Sequence, residues 1–143
     1  MKTYKKSRQT GFTLIEMMVV VAVIGLLIAM VGPRVFNQVA KAEKTRVQQD
    51  IRVIENALKF YRLDNFRYPS QAQGIEALVT APSDASNWNG PYMDSVPKDP
   101  WDRPYLYANP STRGKEIDVY TLGLDGVSGG DGSNKDWGSW NIK

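Results

Sequence analysis

Apolar and polar positions divide this chain into three parts. From Phe12 to Met30, nineteen residues carry one ionisable group, Glu16. As a helix this run rises about 28 Å, close to the hydrocarbon thickness of a bilayer. Further on, Val47, Ile51, Ile54, Leu58 and Tyr61 recur at spacings of four, three, four and three, with charged and amide residues on the other faces. That is a single apolar stripe on an amphipathic helix. It lasts about two heptads, short for a two-stranded coiled coil, and reads as the seat of a C-terminal domain. Gly32-Pro33, between the two patterns, predicts a kink and not an end. The expected helix therefore runs from Phe12 to Asp64, about 80 Å. Its more polar stretch, Phe36 to Arg46, is read as a spacer or as a face toward other copies.

The third part is richer in turns. Asn65 to Pro69 ends the helix. Ser70 and Gln73 form a capping-box pattern ahead of Ile75, Leu78 and Val79, which predicts a short helix over about 71–80. Residues 81–89 are small, polar and loop-like, and residues 91–104 hold four prolines. Asp99-Pro100-Trp101-Asp102 suits a type I turn. Two strands are expected, over 104–108 and 116–122, with Ile117, Val119 and Thr121 on one side and Asp118, Tyr120 and Leu122 on the other. A third is expected near 92–96 or 137–142. The fold class is α+β: a long N-terminal helix packed by a small antiparallel sheet.

With 143 residues the chain has room for one domain and an anchor. Its net charge is +3. Lys2, Lys5, Lys6 and Arg8 precede the apolar run, so it should enter a membrane with its N-terminus inside. Without those four, fourteen basic residues face fifteen acidic ones. The basic balance thus gives no argument for nucleic acid binding, and aromatic–basic interleaving is absent. Zero cysteine and zero histidine remove disulfides, thiol chemistry, the common triads and the usual zinc sites. A carboxylate pair suited to glycoside hydrolysis lacks an evident cleft, and the tryptophans and tyrosines read as packing residues. No enzyme is expected.

Glu16 is the unexpected residue. A charge at the centre of a membrane helix costs about 2.5–3.5 kcal/mol, and less near the interface. Its position asks for a cation, and a free α-amino group at Phe12 would be one if the bond after Gly11 were cut. A signal peptide fits poorly, because Ala29 to Arg34 shows no small-residue cleavage site. A plain anchor leaves Glu16 unexplained, and a core helix of this length exceeds what a small domain covers.

Gly11-Phe12-Thr13-Leu14-Ile15-Glu16, behind a basic leader, resembles the leader junction of type IV pilins and type II secretion pseudopilins. The resemblance implies that a prepilin peptidase cuts after Gly11 and that Phe12 is methylated. It also implies that Glu16 aligns each subunit with its neighbour's amine during fibre assembly. Tyr68-Pro69-Ser70, Gln73 to Leu78, Pro97 to Trp101 and Pro104 to Tyr107 extend it, over nearly the whole chain, to the major pseudopilin family of type II secretion systems. Asp102 departs from that family, which more often has glycine there, so the local turn type stays open. Zero cysteines argues against an adhesive or motility pilin, whose C-terminal region commonly closes with a disulfide.

The tail gives a second signal. Five glycines and three aspartates fall between positions 123 and 136, with Val127 as the apolar side chain within 125–136. Ordering glycine is entropically costly. Hard oxygen ligands around Ca²⁺ would supply order, since that ion takes six to eight oxygens in flexible geometry. An EF-hand does not fit: Val127 and Gly129 occupy ligand positions, and the flanks are not helices. Composition alone leaves a solvated loop equally open. The family resemblance implies calcium, with Asp125 and Asp136 as side-chain ligands, the Leu122 and Val127 carbonyls as backbone ligands, and Asp131 as a further ligand.

The expected organisation is a leader (1–11), a membrane and polymerisation segment (12–34), an amphipathic helix (35–64) and a globular domain (65–143) with its calcium loop at about 122–137. The resemblance implies a homopolymer, a periplasmic fibre built from the inner membrane that supports export of folded proteins across the outer membrane. Implied partners are minor pseudopilins, the prepilin peptidase, the inner-membrane assembly platform and the membrane itself. The alternatives are a pilin-like subunit of another system, or a membrane-anchored calcium-dependent binding protein.

Overall fold

A computed structural model describes residues 11–142. The chain divides into two compact units, Met1–Gln38 and Val39–Lys143. One helix, α1 (Leu14–Asn65), contributes to both and continues through Gly32-Pro33, where the sequence predicts a kink. Of the expected leader, residues 1–10 lie outside the described residues.

In the first unit α1 covers none of its apolar side chains. Every residue from 11 to 31 is exposed, with Phe12 at 80%, Leu26 at 73% and Phe36 at 75%. The segment is long and apolar enough to cross a membrane.

In the second unit α1 does the opposite. Val47, Ile51, Ile54, Leu58 and Tyr61, the stripe legible in the sequence, are all fully buried. They share one core cluster with Ile75, Leu78, Tyr105, Tyr107, Ile117, Val119 and Ile142. Truncating one of these large side chains to alanine costs about 2–5 kcal/mol. The helix ends where Asn65 Nδ2 donates to the Tyr61 carbonyl at 3.0 Å and Phe66 turns to φ +59°.

The sheet has three antiparallel strands in the order β1 (Leu106–Ala108), β2 (Asp118–Thr121), β3 (Trp137–Gly138). Tyr107 pairs with Val119, Ala108 with Asp118, and Thr121 with Trp137. Alternation along β2 sends Val119 into the core and turns Asp118 and Tyr120 to the opposite face. The third strand is the later of the two candidates.

Two local expectations change. The Ser70–Gln73 capping box forms, with Ser70 N–H donating to Gln73 Oε1 at 2.7 Å and Gln73 N–H donating to Ser70 Oγ at 3.2 Å. Yet no α-helix follows, because Gly74 adopts φ +59° and leaves a 3₁₀ turn, Ile75–Leu78. At the expected type I turn, Asp102 N–H donates to the Asp99 carbonyl at 3.0 Å. Asp102 itself sits at φ +63°, a left-handed position that suits glycine and that aspartate tolerates better than most.

Side chains tie α1 to the domain. Tyr105 Oη donates to Asp50 Oδ2 at 2.9 Å and Tyr92 Oη to Asp64 Oδ2 at 2.8 Å. The Tyr61 hydroxyl, in contrast, is buried without a partner among the described residues. Burial first, and then the bond to Asp50, push the Tyr105 phenol above its ordinary value. The folded state therefore holds that proton more tightly than the unfolded chain. The resulting stabilisation is full below about pH 10 and is lost as pH rises beyond it. Denaturant titrations of three proteins check this contrast. Tyr61→Phe should match or exceed the parent, since an unpaired buried hydroxyl is lost, while Tyr105→Phe should cost about 1–3 kcal/mol at neutral pH. The parent should weaken above about pH 10 more steeply than Tyr105→Phe. Equal losses in the two variants would contradict this reading.

Candidate functional site

The first candidate is the start of α1. Thr13 precedes the helix, and Glu16 sits three residues on. Thr13 N–H donates to Glu16 Oε2 at 3.1 Å, and the Thr13 hydroxyl donates to the same oxygen at 3.3 Å. In return Glu16 N–H donates to Thr13 Oγ1 at 3.3 Å. This is a reciprocal capping box: it satisfies backbone donors that a helix start leaves free. It also sets the carboxylate against the positive end of the helix dipole. The sequence asks for a cation at Glu16; the chain supplies Thr13 instead, and no ion pair to Glu16 occurs among the described residues. Gly11 and Phe12 are exposed just ahead of the box.

The second candidate is the glycine-rich loop after β2. Two of its glycines are required by geometry. Gly123 (φ +68°) and Gly130 (φ +80°) lie so close to the Ser133–Asn134 backbone that an added Cβ would meet it at 2.7 Å and 2.6 Å. Leu124 N–H donates to the Ser133 carbonyl at 2.8 Å. The Arg103 guanidinium donates to the Leu124 carbonyl. Ser133 Oγ donates to Glu43 of α1 at 2.7 Å. Polar contacts thus supply much of the order that the loop's composition withholds.

The five expected ligands are not equally placed. Asp136 is the loop's clasp: its Oδ2 accepts from Gly129 N–H at 3.0 Å and from Ser128 Oγ at 3.3 Å. Its Oδ1 is buried without a partner among the described residues. Asp136 and Leu122 line one cleft of about 290 Å³, together with Ser128, Asp118 and Trp140. Asp125 Oδ1 accepts the Val127 N–H at 3.0 Å in a local turn. Asp131 is exposed at the start of the 3₁₀ turn Gly132–Asn134 and makes no side-chain cap. Asp125, Val127 and Asp131 do not line the cleft. Among the described residues no three acidic side chains converge at metal-holding distance.

The donor set nevertheless fits a hard cation in one respect. A buried carboxylate oxygen without a donor costs about 1–3 kcal/mol or more, and Asp136 Oδ1 is such an atom. Sequence reading did not single out Asp118 or Asp99. Asp99, 1% exposed, accepts from Trp101 N–H and Arg103 N–H through Oδ1, at 3.0 and 2.8 Å, and from Thr121 Oγ1 through Oδ2 at 2.5 Å. It locks the 99–103 turn to β2. Its signals in the sequence are the turn-forming Asp-Pro and its place in the Pro97–Trp101 stretch.

Comparison with known proteins places these sites in context. A family model described as type II secretion system (T2SS), protein G, matches residues 34–140. A second, the prokaryotic N-terminal methylation motif, matches residues 6–32. The chain is 46% identical over 142 residues to the type II secretion system core protein G of Vibrio cholerae, covering 97% of each. It is 46% identical over 140 residues to that of Pseudomonas aeruginosa, covering 95% of this chain and 98% of the relative. Its structure resembles the crystal structure of the major pseudopilin from the type 2 secretion system of enterohaemorrhagic Escherichia coli. That match has TM-score 0.64 and 35% identity, and covers 73% of this chain and 91% of that one.

A Gly130→Ala substitution tests the loop geometry. The strained backbone and the contact with Asn134 should together cost about 1–3 kcal/mol in thermal unfolding. Gly129→Ala is strained as well, at φ +104°, but meets no neighbouring atom and should cost less. The reverse order would overturn the account of the loop.

Proposed function

This chain belongs to the type II secretion system protein G family, and on that premise we propose how it works as a pseudopilus subunit. One observation carries the proposal: the large apolar side chains from Phe12, just ahead of α1, to Val39 are exposed in the isolated chain. An apolar surface of that extent does not persist in water. Its cover is first the inner membrane and then the same segment of other copies, as subunits leave the membrane for a periplasmic fibre. The fibre supports export of folded proteins across the outer membrane.

Each residue of the junction has a part. A prepilin peptidase cuts after Gly11, and Phe12 becomes the methylated N-terminus. In the membrane the Thr13 box answers Glu16 with hydrogen bonds, which lowers the cost of holding a carboxylate near lipid. In the fibre a neighbour's Phe12 amine supplies the opposite charge. The extra attraction of an ion pair over a hydrogen-bonded carboxylate favours the assembled form. Minor pseudopilins and the inner-membrane assembly platform are the further partners. The role is structural and not catalytic, in keeping with a chain of zero histidine and zero cysteine.

Calcium is the proposed ligand of the C-terminal loop. When bound, it would supply positive charge to the unpaired oxygen of Asp136 and to carbonyl oxygens nearby. Leu122 and Asp136 would hold it from the cleft. Asp125, the Val127 carbonyl and Asp131 are the loop's further proposed donors.

Two measurements test this. In cells with an active secretion system, Glu16→Gln should insert and be processed like the parent, while sheared-fibre yield falls to background. Parental fibre yield from Glu16→Gln would refute the role given to the charge. For calcium, the full chain in detergent should unfold several degrees lower in chelator, because an ion at a hundredfold excess over its Kd stabilises by about 2.7 kcal/mol. An unchanged midpoint removes calcium from the account and leaves the fibre reading standing.

A further inference from the structure

Beyond Val39, the exposed large apolar side chains among the described residues fall into two groups. Val53, Phe60, Leu63 and Phe66 form the first. The helical period sets Val53, Phe60 and Leu63 on one face of α1, and Phe66 follows the helix end. Leu106, on β1, and Leu124 and Val127, in the glycine-rich loop, form the second. Leu106 also lines a hollow of about 220 Å³ with Pro104, Leu122 and Gly126.

Phe66 is the residue that the isolated chain does not explain. It is 85% exposed, and its backbone is left-handed, at φ +59°. The residue after a helix end is ordinarily glycine or asparagine when it takes this conformation, because a bulky side chain is strained there. A phenylalanine in that place accepts the strain and leaves its ring in water. Such strain persists at sites that bind, where a contact offsets it.

The two groups lie at different levels of the domain. Leu124 N–H donates to the Ser133 carbonyl, and Ser133 Oγ donates to Glu43, so this part of the loop sits beside Glu43 of α1. From Glu43 to Phe66 the chain covers about 35 Å at the helical rise. One copy therefore cannot bring the two groups together. A second copy can, and the contact then joins unlike surfaces. A contact of this kind propagates, and gives an open fibre where the rotation does not close.

We propose that the end of α1 in one copy docks against the loop of the next. Phe66 is seated in the hollow beside Leu106, and Leu124 and Val127 cover Leu63 and Phe60. A cavity of about 150 Å³ takes a benzene ring, so the hollow has room for the Phe66 ring. The inference rests on the fibre reading above and deepens it, because this surface continues, on the same helix, the segment that copies cover in one another. By itself the contact is small. Side chains of this number bury a few hundred Å², whereas a free-standing interface needs about 1,000 Å². It forms between copies already joined through their apolar segments, and sets how far each is advanced along the fibre.

The chain has zero cysteine, so introduced cysteines report the contact directly. Arg67→Cys with Ser128→Cys leaves Phe66 and Val127 in place. Fibres of that variant, sheared from cells with an active secretion system and treated with a short bis-maleimide, should give a ladder at multiples of the chain's mass. Arg67→Cys alone should stay monomeric, because like surfaces do not meet. Phe66→Asn separates docking from folding. The full chain carrying it should melt in detergent at or above the parent's temperature, since asparagine tolerates a left-handed backbone. Its sheared-fibre yield should fall about tenfold, as when a buried aromatic anchor is removed. Intact fibres without a ladder, or parental fibre yield from Phe66→Asn, overturn the proposal and leave the fibre reading standing. Dimers from Arg67→Cys alone also overturn it, since they bring two α1 ends together. A parent chain that forms no fibre overturns the fibre reading itself.

Discussion

Uncovered apolar surface on the first half of α1 is the constraint on which the rest of the molecule depends. Side chains such as Leu26, Ile28 and Phe36 are more than 65% exposed. Burial is worth about 25 cal/mol per Å² of apolar area. A segment of this length therefore binds whatever apolar surround is offered. A bilayer and a bundle of identical helices are both such surrounds. Movement between them is feasible because their hydrophobic terms nearly cancel, which leaves the balance to polar groups. In the proposed assembly Glu16 is the polar group that decides it. Its capping box with Thr13 keeps the carboxylate hydrogen-bonded without a cation, at the exposed start of the helix.

The second half of the same helix obeys a different rule. From Val47 to Tyr61 the apolar positions follow the helical period, and all five are fully buried. The domain they seat has few regular elements: β1 and β3 are three and two residues long. Specific polar contacts substitute for ladder length. Asp99 fastens a turn to β2, Asp50 and Asp64 receive tyrosine hydroxyls from the domain, and Asp136 clasps the loop to Gly129. Such a domain is sensitive to single polar changes, and an ion at the loop would act on its least regular part.

What could be read from the chain divides by the range of the interactions involved. The stripe, the strand alternation and the leader junction are local patterns, and the first two appear in the structure where the spacing placed them. Local chemistry misled where backbone geometry intervened. Ser70 and Gln73 make their reciprocal bonds, yet Gly74 turns the chain before a helix can follow. The same motif at Thr13 and Glu16 does start a helix. Asp118 was legible only as an outward strand residue. Its buried, half-satisfied state arises because the 109–113 connection folds over it, a tertiary event with no local signature. The loop carboxylates divide for the same reason: Asp136 reaches the cleft, whereas Asp125 and Asp131 do not.

The central claim is that copies of the chain cover one another's apolar segment. A photo-crosslinking amino acid in place of Ile28, 66% exposed in the isolated chain, tests it most directly in cells with an active secretion system. The account predicts a ladder of products at multiples of the chain's mass, with lipid adducts dominating when assembly is blocked. Lipid adducts alone, in cells that export their substrates normally, would contradict it.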